Sequence, residues 1–375
     1  MDDDEKFMKE ALRQAGKGAG RTSPNPAVGV VIVRDGKIIA SGHHERAGGD
    51  HAEVSALNKL GGKAMPKDTL YVTLEPCSHF GKTPPCTEAI LAAGLKRVVI
   101  GMKDPNPKVS GGGSRFLAGK GLEVRTGILE TECLRLNEDF VKFITTGRPF
   151  VIAKSAMTLD GWTAASTGHS QWVTSEESRQ FVHRLRNRVD GVMVGIGTVA
   201  ADDPRLTTRL AQGKGRDPVR IVLDTHLRMA PDRKVLNHGS RSETLVIVGE
   251  KVSMKARKRV QKENVSVLVC KTRGKRIDLA ALMDKLGERD IMSLLMEGGA
   301  TLMGQMIRER LVDKFYLFKA PKILGGNDGI SMASGAGPKR MDECLMLRDV
   351  KIRRFGEDAL FIGYPGYNKK SLDAD

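Results

Sequence analysis

His51-Ala52-Glu53, followed by Pro76-Cys77-Ser78-His79-Phe80-Gly81-Lys82-Thr83-Pro84-Pro85-Cys86, decides how this chain is read. One imidazole and two thiolates can hold a zinc ion at three corners of a tetrahedron and leave the fourth for water. A carboxylate two residues past the histidine, not itself a ligand, can carry protons for that water. The pattern predicts that His51 opens a helix, Cys77 ends a buried strand and Cys86 precedes a second helix, so that three distant segments converge. Beside a helix N-terminus the Cys86 thiolate is favoured by the macrodipole. Positions i and i+2 lie on different faces of a regular helix, so His51 and Glu53 must sit where the first turn departs from the ideal. A structural zinc would need a fourth protein ligand, and His79 or His44 are the candidates.

The joint pattern His-x-Glu, then Pro-Cys, then Cys before a helix is that of a zinc deaminase, with Glu53 as the catalytic carboxylate. Composition narrows what such a site could serve. The chain has 375 residues and five cysteines, Cys77, Cys86, Cys133, Cys270 and Cys344. Few and odd in number, they exclude a disulfide scaffold, and the last three read as buried small hydrophobes. The net charge of +16 invites nucleic acid, but aromatics are only 5% of residues, too few for base stacking. A basic surface suited to phosphorylated small molecules is the simpler reading. The densest basic run, 251–276, reads as a solvated helix face. No apolar run approaches the ~18 residues that span a membrane. The acidic start is unlike a secretory leader. The expectations are therefore a cytoplasmic protein, a small-molecule partner, no nucleic acid and no membrane, with homo-oligomeric assembly.

Around the motif, strands alternate with helices. Helical spacing at 4–15, an apolar strand at 28–33, an Asp35-Gly36 hairpin turn, a helix at 51–60 and strands at 69–75, 97–102 and 122–126 predict an α/β domain with a mixed sheet. One helix over 130–143 closes it. Thr145-Thr146-Gly147-Arg148-Pro149 reads as the linker, giving domains at 1–146 and 147–367 and a polar tail at 368–375. The second domain reads as α/β with a largely parallel sheet. Two glycine sites stand out in it, Gly195-Ile196-Gly197-Thr198 and Glu297-Gly298-Gly299-Ala300-Thr301-Leu302. Each follows a strand, precedes a helix, and could offer backbone N–H groups to a pyrophosphate. Neither is a full dinucleotide fingerprint.

At this point the sequence resembles a known family. The first-half motifs, with Thr22-Ser23-Pro24-Asn25-Pro26, look like the bifunctional riboflavin-biosynthesis deaminase/reductases. The eight residues between Cys77 and Cys86 set this branch apart from cytidine and tRNA-adenosine deaminases. In the second half the resemblance rests on the stretch 154–161, Ser170-Gln171-Trp172, Ala201-Asp202-Asp203-Pro204 and Glu297-Gly298-Gly299. The resemblance implies a cytidine-deaminase-like α/β/α domain joined to a dihydrofolate-reductase-like α/β domain, with Zn2+ and NADPH as cofactors. The implied first step replaces the 2-amino group of 2,5-diamino-6-(5-phosphoribosylamino)pyrimidin-4-one by oxygen from water. The second reduces the ribose of the product to a ribityl chain. By the same resemblance Asn25, His44, His79 and Lys82 contact the deaminase substrate. Ala156, Trp172, Thr198, Asp202, Thr225 and Gly298, Gly299, Ala300, Thr301, Leu302, Met303 and Gly304 lie near the NADPH. Ser170, Arg186, Leu206, Arg209 and Glu297 lie near the reductase substrate. Arg186 and Arg209 suit its phosphate, which guanidinium binds through paired hydrogen bonds. Asp202 is expected nearest the chemistry, with Lys154 as a second electrostatic contributor. Nothing identifies a reader of the cofactor's 2′-phosphate.

Two other classes compete. A nucleic-acid-editing deaminase accounts for the charge and for His-Ala-Glu but leaves the second domain unexplained. A non-catalytic binding protein would not need the intact set His51, Glu53, Cys77 and Cys86.

Overall fold

The structure is a computed structural model and describes residues 2–80, 84–107, 112–213 and 215–367. The chain divides into two compact units, 1–148 and 149–375.

The first unit contains α1 (Asp3–Gly18), β1 (Gly29–Arg34), β2 (Lys37–His43), α2 (Ala52–Asn58), β3 (Thr69–Leu74), α3 (Cys86–Ala92), β4 (Arg97–Met102), α4 (Gly112–Gly119), β5 (Glu123–Thr126), α5 (Glu130–Leu136) and α6 (Glu138–Thr146). Its sheet runs β2-β1-β3-β4-β5. β1 is antiparallel to β2 and β3, and β3, β4 and β5 are mutually parallel, as a mixed sheet requires. Because strand side chains alternate between faces, Val30, Ile32, Val72 and Ile100 pack against α2, α3 and α4. Val31, Val33, Tyr71 and Val99 pack on the other face against α1 and α5. The result is an α/β/α sandwich.

The stretch read as one helix over 130–143 is two. Asn137 breaks it at φ −115°, ψ 26°. Its carboxamide accepts from the Ala27 N–H at 2.8 Å and donates to the Ala27 carbonyl at 3.0 Å. A buried side chain given over to another backbone segment outweighs the helical pattern.

The second unit contains β6 (Phe150–Met157), β7 (Trp162–Ala164), α7 (Glu176–Arg186), β8 (Gly191–Gly195), α8 (Ile196–Asp202), β9 (Val219–Leu223), β10 (Thr244–Gly249), α9 (Met254–Lys258), β11 (Val265–Cys270), β12 (Thr272–Arg273), β13 (Arg276–Ile277), α10 (Leu279–Gly287), β14 (Ser293–Glu297), α11 (Ala300–Arg308), β15 (Lys314–Lys319), β16 (Ile330–Ser331), β17 (Leu347–Phe355) and β18 (Asp358–Pro365). Nine strands form one sheet in the order β11-β10-β9-β8-β14-β6-β15-β18-β17. Pairing is parallel from β11 to β15, and the last two strands return antiparallel. α10 and α11 cover one face, packing on Val151, Ala153, Ile221 and Leu294. α8 packs on Val192, Val194 and Val222 in one cluster, and α7 on Leu295 and Phe318 in another. In a parallel sheet the strand C-termini share one edge, which puts the ends of β6, β8, β9 and β14 side by side.

Cys133 and Cys270 are fully buried. Cys344 corrects the expectation for it, since it is only half-buried. Of the basic run 251–276, only α9 is helical, and none of its residues is buried.

Candidate active sites

In the first unit α2 brings the proton carrier. His51 is the N-cap of that helix, with extended backbone (φ −67°, ψ 156°). The imidazole therefore belongs to the incoming loop and Glu53 to the first turn, which removes the conflict of placing i and i+2 together. β3 ends at Leu74 and delivers Cys77 three residues on, while Cys86 is the first residue of α3. The Cys86 N–H donates to Cys77 Sγ at 3.3 Å. The start of α4 presses on the same loop, where a Cβ at Gly113 would collide with the Pro76 carbonyl. Glu75, buried, locks this packing by accepting from the Ser114 N–H at 2.8 Å and the Asp104 N–H at 3.1 Å. Glu75 stands at the head of the Pro76–Cys86 motif, but this bracing role is not legible from local spacing, because its partners lie 29 and 39 residues away.

His51 Nδ1 lies 3.1 Å from Cys86 Sγ and 3.7 Å from Cys77 Sγ. The three donor atoms all fall within 4.8 Å of one another. Tetrahedral zinc with ordinary bond lengths holds an imidazole nitrogen and a thiolate sulfur about 3.5 Å apart, a value the two observed distances bracket. Neither candidate fourth ligand joins it. Both ring nitrogens of His44 are engaged, Nδ1 with the Asp50 carbonyl at 2.9 Å and Nε2 with Asn25 Nδ2 at 3.3 Å. His79 is exposed and stands outside the cluster. A three-ligand set with an open position is the catalytic form.

Glu53 is 4% exposed, and burial pushes its carboxyl up to about 7. A group with that pKa is half protonated near neutrality and can both take and return a proton. The hydrogen bond from Cys86 and the contact with His51 pull the Cys77 thiol down to about 4. The same bond, with burial, drives the Cys86 thiol up. His51 is raised by its bond to Cys77. Burial depresses the His44 imidazole below its ordinary value. With Nδ1–H donated to Asp50, Nε2 accepts from the Asn25 amide and fixes how Asn25 is turned. Lys82, expected at this site, lies outside the described residues.

In the second unit three clefts with shared walls lie at the C-terminal edge of the sheet. One of about 580 Å³ is lined by Ser170, Arg186, Leu206, Arg209 and Glu297 among others, and so brings together the residues expected around the reductase substrate. Six cations face it, Lys154, Arg179, Arg186, Arg205, Arg209 and Lys234, against Asp202, Asp203 and Glu297. The next, about 450 Å³, holds Ala156, Thr198, Gly298, Gly299, Ala300, Thr301 and Met303. The third, about 430 Å³, holds Thr225 and Leu302. Lys154, Ser170, Trp172 and Asp202 line both of the first two. Thr198 and Gly299 line both of the last two. Gly304 lines none of the three, because it is inside α11 against the Ser334 carbonyl.

The two glycine sites face each other. Gly298 and Gly299 take φ of +77° and +73°, and a Cβ at Gly298 would stand 3.2 Å from Thr198 Oγ1. That leaves open backbone on both sides of a narrow cradle, which suits a pyrophosphate. Trp172 is no core residue. The residue is 61% exposed, and the Arg179 guanidinium lies 4.4 Å from the centre of its ring. Asp202 ends α8, and its carboxylate has no hydrogen-bond partner among the described residues, while partial desolvation raises its pKa. Arg186 departs from expectation in detail. Its fork is taken by Glu297, and its remaining Nη1 donates to the Thr207 carbonyl at 3.0 Å. Arg209, exposed at the rim of the same cleft, has its guanidinium open for an anion. Burial depresses Lys154, and Glu297 opposes that. Burial, with Arg186 and Arg209 nearby, lowers His183 to about 4.

Comparison with known proteins agrees with this division. The family described as "RibD C-terminal domain" matches residues 149–361, and "Cytidine and deoxycytidylate deaminase zinc-binding region" matches residues 1–102. The riboflavin biosynthesis protein RibD of Aquifex aeolicus is 44% identical over 355 residues, spanning 95% of this chain and 96% of its own. The protein of the same name from Escherichia coli is 39% identical, over 95% and 97%. Among solved structures, a diaminohydroxyphosphoribosylaminopyrimidine deaminase/5-amino-6-(5-phosphoribosylamino)uracil reductase from Thermotoga maritima superposes with a TM-score of 0.86 at 37% identity, covering 97% of this chain and 99% of that one. RibD of Acinetobacter baumannii does so with 0.86 at 34%, over the same shares.

Proposed function

The chain belongs to the RibD family of riboflavin biosynthesis, and we propose that it performs both steps its two units are built for. The first unit hydrolyses the 2-amino group of the phosphoribosylaminopyrimidine, and the second reduces the ribose of the deaminated product with NADPH. The observation that carries the proposal is the open triangle of His51, Cys77 and Cys86 with Glu53 buried beside it.

His51, Cys77 and Cys86 would hold zinc, which when bound lowers the pKa of a coordinated water toward about 7. Glu53 takes the proton released as the water oxygen attacks C2, and passes it to the adjacent ring nitrogen. It then delivers a second proton to the amino group as the C2–N bond breaks, so that water and substrate leave as the C2 carbonyl and ammonia. Asn25, oriented by His44, bonds the ring edge. His79 and Lys82 are assigned to the substrate's outer parts.

The second unit would hold NADPH, which when bound would supply a hydride for C1 of the ring-opened, imine form of the sugar. Gly298, Gly299, Ala300, Thr301 and Thr198 would hold its pyrophosphate, and Ala156 and Trp172 would border its nicotinamide. Asp202 faces the clefts for both ligands and delivers the proton that completes the reduction. Lys154 and Ser170 border the reacting sugar, and Arg209 takes its phosphate. Arg186, Glu297 and Leu206 line the cleft that would take the pyrimidine. Free thiols serving as ligands suit the reducing cytoplasm. Among the described residues no helix is long and apolar enough to cross a membrane. A homo-oligomer, expected from sequence, is read by mass measurement in solution. A two-stage assay of ammonia release and then NADPH oxidation tests the function as a whole.

A further inference from the structure

The third cleft has a charge pattern that the assignments above leave unused. Its wall is formed by the loop after β9, by the β12–β13 hairpin and by the start of α11. Arg228, Lys275 and Arg276 line it together with His226, and no carboxylate lines it. None of the three cations has an acidic partner among the described residues. On the same hairpin Arg273 does have one, reaching Asp278 at 3.3 Å. The hairpin is therefore neutralised on one side and left positive on the side that borders the cleft. Both walls are fixed in place. The Asp278 N–H donates to the Lys271 carbonyl at 2.9 Å, closing the hairpin base. The Gly249 N–H donates to the Thr225 carbonyl at 2.9 Å, holding the loop that carries Arg228 against the end of β10.

The cleft opens into the diglycine cradle through Gly197, Thr198, Gly299 and Thr301, which line both. A dinucleotide whose pyrophosphate occupies the cradle and whose nicotinamide faces Asp202 sends its adenosine ribose into this cleft. Sites built for NADH place an Asp or Glu on the ribose 2′-hydroxyl, and sites built for NADPH place arginine there instead. Asp224, a buried acid just past β9, gives its Oδ2 to the Met229 N–H at 2.7 Å and does not line the cleft. Guanidinium matches a phosphate dianion with paired donors, and Lys275 adds a point charge at the exposed tip.

We propose that Arg228 and Arg276, with Lys275 at the rim, grip the 2′-phosphate of the cofactor and set the preference for NADPH over NADH. The inference rests on the dinucleotide reading of the second unit. Its test is binding by calorimetry on the full chain, with NADP+, NAD+, adenosine 2′,5′-bisphosphate and AMP as titrants. The wild-type chain is expected to favour NADP+ over NAD+. Arg228→Gln and Arg276→Gln should each weaken NADP+ and the bisphosphate by about 10-fold or more, the scale of one charge-assisted contact. NAD+ and AMP should change less than about 2-fold, which also shows that the variants fold. Since added salt screens the grip, the NADP+ advantage should shrink as ionic strength rises. Equal weakening of NADP+ and NAD+, or no change in either, overturns the 2′-phosphate assignment and leaves the dinucleotide site standing. A wild-type chain that binds neither dinucleotide overturns the dinucleotide reading itself and the assignment with it.

Discussion

Arg186 and Glu297, 111 residues apart in sequence, meet as a two-pronged pair, Nε to Oε1 at 2.6 Å and Nη2 to Oε2 at 2.9 Å. Both side chains are nearly buried, at 12% and 11% exposure. They join the end of α7 to the end of β14 and line the cleft of about 580 Å³. Removing one partner strands the other charge in a poor solvent for it. Glu297→Ala should therefore lower the stability of the second unit by about 3–5 kcal/mol at most, the range for a broken buried pair. It should raise the reductase KM while leaving ammonia release near the wild-type rate. Thermal unfolding and the two separate assays check this. The pair depresses the Glu297 carboxyl. Its contribution is complete above the ordinary carboxylate pKa near ~4.3 and is lost as pH falls through the lower folded value.

His183 predicts a pH dependence at a higher range. Its Nδ1 accepts from the Arg209 N–H at 3.3 Å, which requires a neutral ring, and its pKa falls to about 4. The unfolded chain takes up the proton near ~6.5. The stability of the second unit is therefore full above that value and declines as pH drops from 6.5 toward about 4. His183→Gln, which keeps an acceptor without titrating, should flatten the melting temperature across that window. An unchanged slope in the variant would remove His183 as the cause.

The proposed function gives Glu53 a part in the first reaction alone. Glu53→Gln keeps the shape and a hydrogen-bonding group but cannot carry protons. Ammonia release should fall by about 10²–10⁴-fold. NADPH oxidation with the deaminated intermediate supplied directly should stay within about 2-fold of wild type, since the two sites belong to separate units. Loss of both activities would contradict the two-site account.

Metal content separates the units in the same way. The purified chain should carry about one zinc. Cys77→Ser and Cys86→Ser should each lose most of it, and a strong chelator should abolish ammonia release in the wild type. Reduction should survive chelation, because the residues around the reductase clefts include no metal set among the described residues.

Sequence carried the first site almost whole. His51, Glu53, Cys77 and Cys86 announce themselves through local spacing at element ends, where backbone and motif are read together. The α/β alternation was legible for the same reason, since strand and helix periods are local. What escaped depends on distant partners or on surface exposure. Asn137 splits a well-patterned helix because its amide is committed to Ala27, 110 residues away. The Arg186 fork looked free for phosphate because Glu297 cannot be seen from α7. β17 (Leu347–Phe355) is an edge strand dense in charge with almost no buried residue, so it lacks the alternation that marks a strand. The positive cleft at Arg228 and Arg276 is assembled from two segments, one at the end of a basic run that resembles an ordinary solvated surface.

The central claim is that one chain performs two consecutive reactions at two sites. The direct measurement supplies the 2,5-diaminopyrimidine ribose phosphate to zinc-loaded protein, first without NADPH and then with it, following ammonia and absorbance at the nicotinamide band together. The account predicts one ammonia per substrate in the first stage with no reduction, then oxidation of one NADPH per ammonia already released. Oxidation of NADPH before any ammonia appears, or ammonia release that ends without NADPH consumption, would contradict it.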